Sequence, residues 1–247
     1  MTVQPCSDIG AAIEELSQLP GFEHLSKRLT QISDLSACCA DLRFASDCLA
    51  ALDELLASPR GLNRPSRRAT ETALLMTSIN FYVRATAAAK KGERGSSTIV
   101  AQLNADERRD HNEIVEVRHR GLTHVTPNAA LTGGEVWNEH HPLAFDVGDG
   151  WKLAFATRNV AFRVDLFAQM RRQLPVAERI LAERFQEKIE RLGREVRKAP
   201  DWDQILRKHS LDPIDIFGSP EAAARAMGPI ASGVTATAFF TLDPVIR

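Results

Sequence analysis

The sequence predicts a mainly α-helical protein, a helical bundle with a small β-hairpin insertion, and three observations carry that prediction. Apolar residues recur at three- and four-residue steps through most of the chain, the period of a helix with one buried face. A single stretch near the middle alternates apolar and other residues on either side of Gly148-Asp-Gly150, which is the pattern of two paired strands and a turn. The chain has 247 residues, of which 44% are hydrophobic and 26% charged, values that suit a chain able to bury a core and exclude wholesale disorder.

The elements follow in order. A shorter pair of helical patterns opens the chain and is broken at Pro20-Gly21. Leu35, Cys38, Leu42, Ala45, Leu49, Leu52 and Leu56 then predict an amphipathic helix over about 35–57 that stops at Ser58-Pro59. Ser66 is placed to cap the next helix, which runs through Ala69, Ala73, Leu74, Ile79, Phe81 and Val83 to about Lys90. Lys91–Thr98 is a polar connection. Asn104 with Glu107 three residues on forms a capping box, and Ile114, Val117 and Gly121 mark the buried stripe of the helix that follows.

Beyond Val125 the texture changes to loop residues and then to the hairpin, Leu143–Val147 and Trp151–Phe155, in which Trp151 reads as a core anchor. His140-His141 reads as a pair of loop residues, because adjacent histidines point different ways and lack a third ligand at helical spacing. Two helices are expected over about 158–173 and 176–198, then a short one around Trp202–Lys208. The resulting division is a helical bundle core over 1–130, a loop and hairpin insertion over 131–157, further helices over 158–199, and a short helix with a Pro/Gly/Ala-rich tail over 200–247.

Composition narrows the partners. Residues 1–59 carry three Lys/Arg against nine Asp/Glu, residues 60–120 carry twelve against seven, and the remaining 127 balance at sixteen each, within an overall net charge of -1. The basic stretch therefore favours an anionic partner at one place in the chain. Cys38 and Cys39 are adjacent while Cys6 and Cys48 are scattered, so no zinc-type spacing exists and no metal or other cofactor is expected. No apolar run is long enough to span a membrane, and the start of the chain lacks a basic-then-apolar leader pattern, so a cytoplasmic protein without a membrane partner is expected.

The basic stretch ends in the most informative segment, His111-Asn-Glu-Ile-Val-Glu-Val-Arg118-His119-Arg-Gly-Leu-Thr-His124. Arginine can hold a phosphate bidentately at any pH and histidine can exchange a proton near neutrality. Together they have the chemistry to cleave RNA without a metal. On a straight α-helix, six residues place Arg118 and His124 about 120° apart and about 9 Å apart along the axis, so a bend near Gly121 or a second subunit must bring them together. His111 and Arg118, seven apart, share a face.

The order of these features, a helix ending Phe81-Tyr82-Val-Arg84, a polar loop, His111, then Val117-Arg118-His119-Arg120 and Thr123-His124, resembles the HEPN superfamily. The resemblance covers about residues 35–130, with His119 where the family more often has Asn or Asp and Thr123 where it has alanine. It implies a HEPN-like bundle that dimerises so that two Arg–His motifs face each other in a composite, metal-independent endoribonuclease site. On that reading Arg118 and His124 are the catalytic pair, while His119, Arg84 and His111 are auxiliary or phosphate-positioning. The expected partners are RNA, a second copy in a homodimer and an antitoxin protein of a toxin–antitoxin or defence system. The alternative is a non-catalytic HEPN-like dimer that binds RNA or acts through protein interaction and regulation.

Overall fold

The computed structural model describes residues 6–59, 64–87, 97–123, 138–146, 148, 150–159 and 164–231. Their elements run β1 (Cys6–Ser7), α1 (Ile9–Leu16), α2 (Leu25–Ala57), α3 (Pro65–Thr86), a 3-10 turn (Val100–Gln102), α4 (Ala105–Glu116), a π-helix (Val117–Thr123), β2 (Asn138–Asp146), β3 (Trp151–Asn159), α5 (Val164–Val196), α6 (Trp202–Lys208), β4 (Ser210–Leu211), α7 (Pro213–Phe217) and α8 (Pro220–Ala231). The protein is thus mainly helical with a two-stranded hairpin, as the sequence predicts. None of the described helices is long and apolar enough to cross a membrane.

The chain divides into two compact units, one of Met1–Ser33 with Glu187–Arg247 and one of Asp34–Gln186. The first unit joins segments from opposite ends of the sequence, which no local pattern reveals. Its ties are short and specific. β1 pairs antiparallel with β4, Cys6 opposite Leu211. Asp8 caps α1 by accepting from the backbone N–H groups of Gly10 and Ala11. Glu15 accepts from Lys208 Nζ at 2.8 Å and lies 2.7 Å from His209 Nε2. These two partners hold the Glu15 carboxyl below its ordinary value. Glu195 gathers Arg28 and His24 in the same way.

The second unit holds the helices that carry the motif. The stripe Leu35, Cys38, Leu42, Ala45, Leu49 and Leu52 of α2 is buried, as expected, while Leu56 at its end is exposed; on α3 the buried residues are Leu75, Ile79, Tyr82 and Val83, with Ala69 and Ala73 exposed instead, and Ile114 and Val117 are buried at the end of α4. Polar contacts fix how these helices meet. The Ser78 hydroxyl donates to the Ala45 carbonyl at 3.0 Å, and Phe44 and Phe81 meet edge to face at 4.5 Å. α4 is held to α5 by Arg172, which donates to Asp110 at 2.8 and 3.1 Å, and by Gln169, which donates to Glu113.

Arg67 is the least expected member of this core. Its side chain is buried, pairs with Glu71 at 2.7 Å, and donates to the Leu55 and Ser58 carbonyls at the end of α2. A helix C-terminus leaves carbonyls without intrahelical partners, and a buried guanidinium both satisfies them and complements the dipole there. It therefore closes the α2–α3 connection from inside.

Several elements differ from expectation for identifiable reasons. α2 begins at Leu25 rather than near residue 35, because Leu25 and Ile32 extend its apolar side and the second of the two opening patterns merges into it. α3 starts at Pro65 with no side-chain cap, so Ser66 is not the cap. Proline at the first helical position has its φ already set and lacks the N–H that would need one. The two helices expected over 158–198 are one, α5, which runs through Pro175. Leu166, Met170, Leu174, Ala177 and Leu181 form one buried stripe across that proline. Burying each large aliphatic side chain contributes about 1.5–3 kcal/mol, which together outweighs the roughly 3 kcal/mol cost of an interior proline.

The hairpin is longer than the pattern suggested, with Asn138 to Asp146 paired register by register to Asn159 to Trp151. His140 and His141 therefore lie in a strand rather than a loop. Trp151 is not a core anchor: it is 70% exposed, because no second layer of the chain's described residues covers its face of the hairpin. The tail region past residue 200 is largely helical to Ala231, while Phe239 and Phe240 lie outside the described residues.

Arg67→Met keeps the bulk of the side chain but removes its charge, leaving Glu71 and two α2 carbonyls without it. A loss of about 3–5 kcal/mol in urea-unfolding free energy is expected, as for one partner removed from a buried ion pair.

Candidate functional site

The motif sits at the end of α4. Asn104 accepts from the Glu107 backbone N–H while Glu107 accepts from that of Asn104, so the capping box is present and fixes where α4 starts. Eleven residues later the helix does not continue in α form. From Val117 to Thr123 it is wound as a π-helix, with hydrogen bonds from i to i+5. Such segments are rare and recur at functional sites, because the wider turn redirects side chains. The straight-helix geometry expected between Arg118 and its downstream histidine therefore does not apply over this stretch. His124 lies outside the described residues.

Arg118 is half-buried and His119 and Arg120 are exposed. Arg118 Nη1 lies 3.2 Å from His119 Nδ1. A guanidinium has only donors, so His119 Nδ1 accepts and the ring's proton is placed on Nε2. Arg120 pairs with Glu116 one turn back at 2.8 Å. The structure thus brings Arg118 and His119 together at the surface, beside a cation the motif reading had not singled out.

His111 has a different place. It is 2% exposed, and its Nδ1 lies 2.8 Å from the hydroxyl of Tyr82, which is itself fully buried. Burial lowers the His111 pKa and raises that of Tyr82, so the imidazole is neutral and the phenol keeps its proton. The two side chains share one hydrogen bond, whose donor is set by the tautomer of the ring. The expectation that His111 faces an anion alongside Arg118 is corrected on this point: an interior, neutral ring has no access to phosphate, and its role is to hold α4 against α3.

Arg84 is likewise committed within the fold. Its Nε donates to Asp41 at 2.8 Å, its Nη2 reaches the other oxygen of the same buried carboxylate, and its guanidinium lies over the Phe81 ring at 4.2 Å. The structure does not bring it to Arg118 through any of these contacts. Its outer edge remains exposed, but its orientation is set by Asp41 of α2.

Among the described residues no group of three or more His, Cys, Asp and Glu side chains could hold a metal ion. Cys38 and Cys48 are buried, and burial pushes the half-buried Cys39 thiol up to about 11. No family model matches the chain, and no curated protein or solved structure matches it significantly.

The Tyr82–His111 pair predicts a pH dependence with a definite sign. The folded-state pKa of His111 lies below its ordinary 6.5, so the unfolded chain binds the proton more readily. The stability this contributes is complete above about 6.5 and is lost as pH falls below it. Urea midpoints measured from about pH 7.5 down to about 5.5 should decline in the wild type and decline less steeply in His111→Gln.

Proposed function

We propose that this protein is a HEPN-like, metal-independent endoribonuclease, with Arg118 and His124 as the catalytic pair at a site completed by a second copy of the chain. The observation that carries the reading is the surface turn itself. Arg118 and His119 are in contact on a π-wound end of α4, shortly ahead of His124 in sequence, at the end of the basic stretch 60–120. The base of that helix is anchored by the capping box and the Tyr82–His111 bond, so the turn is presented from a fixed support.

The reaction follows from the chemistry of these groups. His124 removes the proton from a ribose 2′-hydroxyl, whose oxygen attacks the adjacent phosphorus. The P–O5′ bond breaks, and the partner subunit's His124 protonates the leaving 5′-oxygen. Arg118 donates to the non-bridging oxygens as negative charge builds on them. His119, with its proton on Nε2, is placed to donate to the same phosphate. Arg84 and His111 act at a distance by setting the α2–α3–α4 framework. The product ends are a 2′,3′-cyclic phosphate and a 5′-hydroxyl, with no oxidant, water or metal consumed in the step.

Purified full-length protein incubated with a labelled structured RNA in excess EDTA is expected to release cyclic-phosphate fragments. Arg118→Ala and His124→Ala should each lower the rate by about 100-fold or more while the circular dichroism stays unchanged. Cleavage that needs added divalent metal, or that leaves a 3′-hydroxyl, would overturn the mechanism. Salt-sensitive binding without cleavage would instead assign the turn to RNA binding alone, and absence of RNA affinity would assign the protein to an interaction or regulatory role.

A further inference from the structure

The β2–β3 hairpin has two unlike faces. Residues directly opposite each other in an antiparallel pair lie on the same side, so the register puts Trp151, Leu153 and Phe155 together with Ala144 and Pro142. Those three large side chains are 70%, 84% and 75% exposed. The other face carries Leu143 and Phe145, at 39% and 49%, beside Lys152. One face is thus partly covered and mixed in character, while the other is apolar and open.

We propose that the open face of this hairpin is an interface between two copies of the chain, packed face to face across a twofold axis. Two strands alone are marginal in water, and a hairpin of two nine-residue strands presenting three large apolar groups needs a layer on top of them. The strand edges are a poor place for that partner. Pro142 interrupts β2 because it has no N–H to give, and Lys152 puts a charge on β3, both devices that block edge pairing. No such device protects the open face, whose only charge is Asp146 at the turn end, opposite Trp151.

The size of the patch suits a second copy. Trp151, Leu153 and Phe155 with their small neighbours offer about 500–600 Å² of apolar surface, judged from what aromatic and aliphatic side chains normally bury. Used twice in an isologous contact, that makes about 1,000–1,200 Å², at the lower edge of a stable protein interface. Antiparallel packing of the hairpins also sets the two Asp146 carboxylates at opposite ends, whereas an anionic lipid surface would meet both acids directly. This surface is separate from the Arg118 turn, and the inference stands whether or not that turn cleaves RNA.

Sedimentation velocity of the full chain over a range of concentrations is expected to show a monomer–dimer equilibrium in the micromolar range. The triple variant W151S/L153S/F155S should weaken dimerisation by at least about 100-fold, whereas Phe145→Ser on the opposite face should leave it within a few-fold. Hydrogen exchange of the wild type, which does not depend on any variant folding, should show the amides of 138–146 and 151–159 slowed in the dimer relative to the dilute monomer. A chain that stays monomeric throughout would overturn the proposal. So would a dimer that the triple substitution leaves intact and whose hairpin amides exchange at the monomer's rate, the behaviour of a dimer joined at the Arg118 turn alone.

Discussion

The Tyr82 hydroxyl is fully buried in the second unit, and that constraint orders what surrounds it. A phenol without a partner in an apolar interior costs about 1–3 kcal/mol, so a bulky tyrosine on α3 demands a hydrogen-bond partner from whichever helix packs there. His111 supplies it, and because the pair is directional it fixes both the rotation and the longitudinal position of α4. The capping box then decides where α4 begins, and Arg172 and Gln169 of α5 take up its acidic residues Asp110 and Glu113. The position of Arg118 is the outcome of these three decisions. Arg84, two residues after Tyr82, points the opposite way and holds Asp41, so α3 ties one neighbour with its buried face and another with its exposed one.

Sequence patterns were informative wherever a local rule was sufficient. Asn104 and Glu107 announce a helix start because the capping box needs nothing beyond four residues, and the α2 stripe is legible because a 3.6-residue period has one explanation. Where two rules competed, reading failed. Pro175 argues for a break on propensity, but the stripe that crosses it argues for continuity, and packing prevails since it sums over several buried side chains. Trp151 was misread because alternation identifies a strand without saying whether its apolar side has anything to pack against. Arg67 gave no signal at all: its partners are carbonyls nine and twelve residues earlier, and backbone acceptors carry no sequence signature.

The π-wound segment was the least legible part of the candidate site. Nothing in Val-Arg-His-Arg-Gly-Leu-Thr departs from an ordinary helical composition except Gly121, which marked a bend without specifying its kind. The departure begins at the buried Val117, just past Asp110 and Glu113, which are tied to α5, and runs on through the half-buried Arg118 and the exposed His119 and Arg120.

That location bears on how the basic turn should be understood. The C-terminal end of a helix carries partial negative charge, which welcomes cations and opposes a phosphate by about 0.3–1 kcal/mol. A single arginine there would be accounted for by the dipole alone. Here Arg120 answers Glu116, and Arg118 and His119 follow one another beside it, with Arg118 Nη1 3.2 Å from His119 Nδ1. A bidentate anion contact by a guanidinium is about twice as strong as a neutral hydrogen bond. On the proposed reading that contact is one half of an anion site, whose other half His124 and a second copy of the chain would supply.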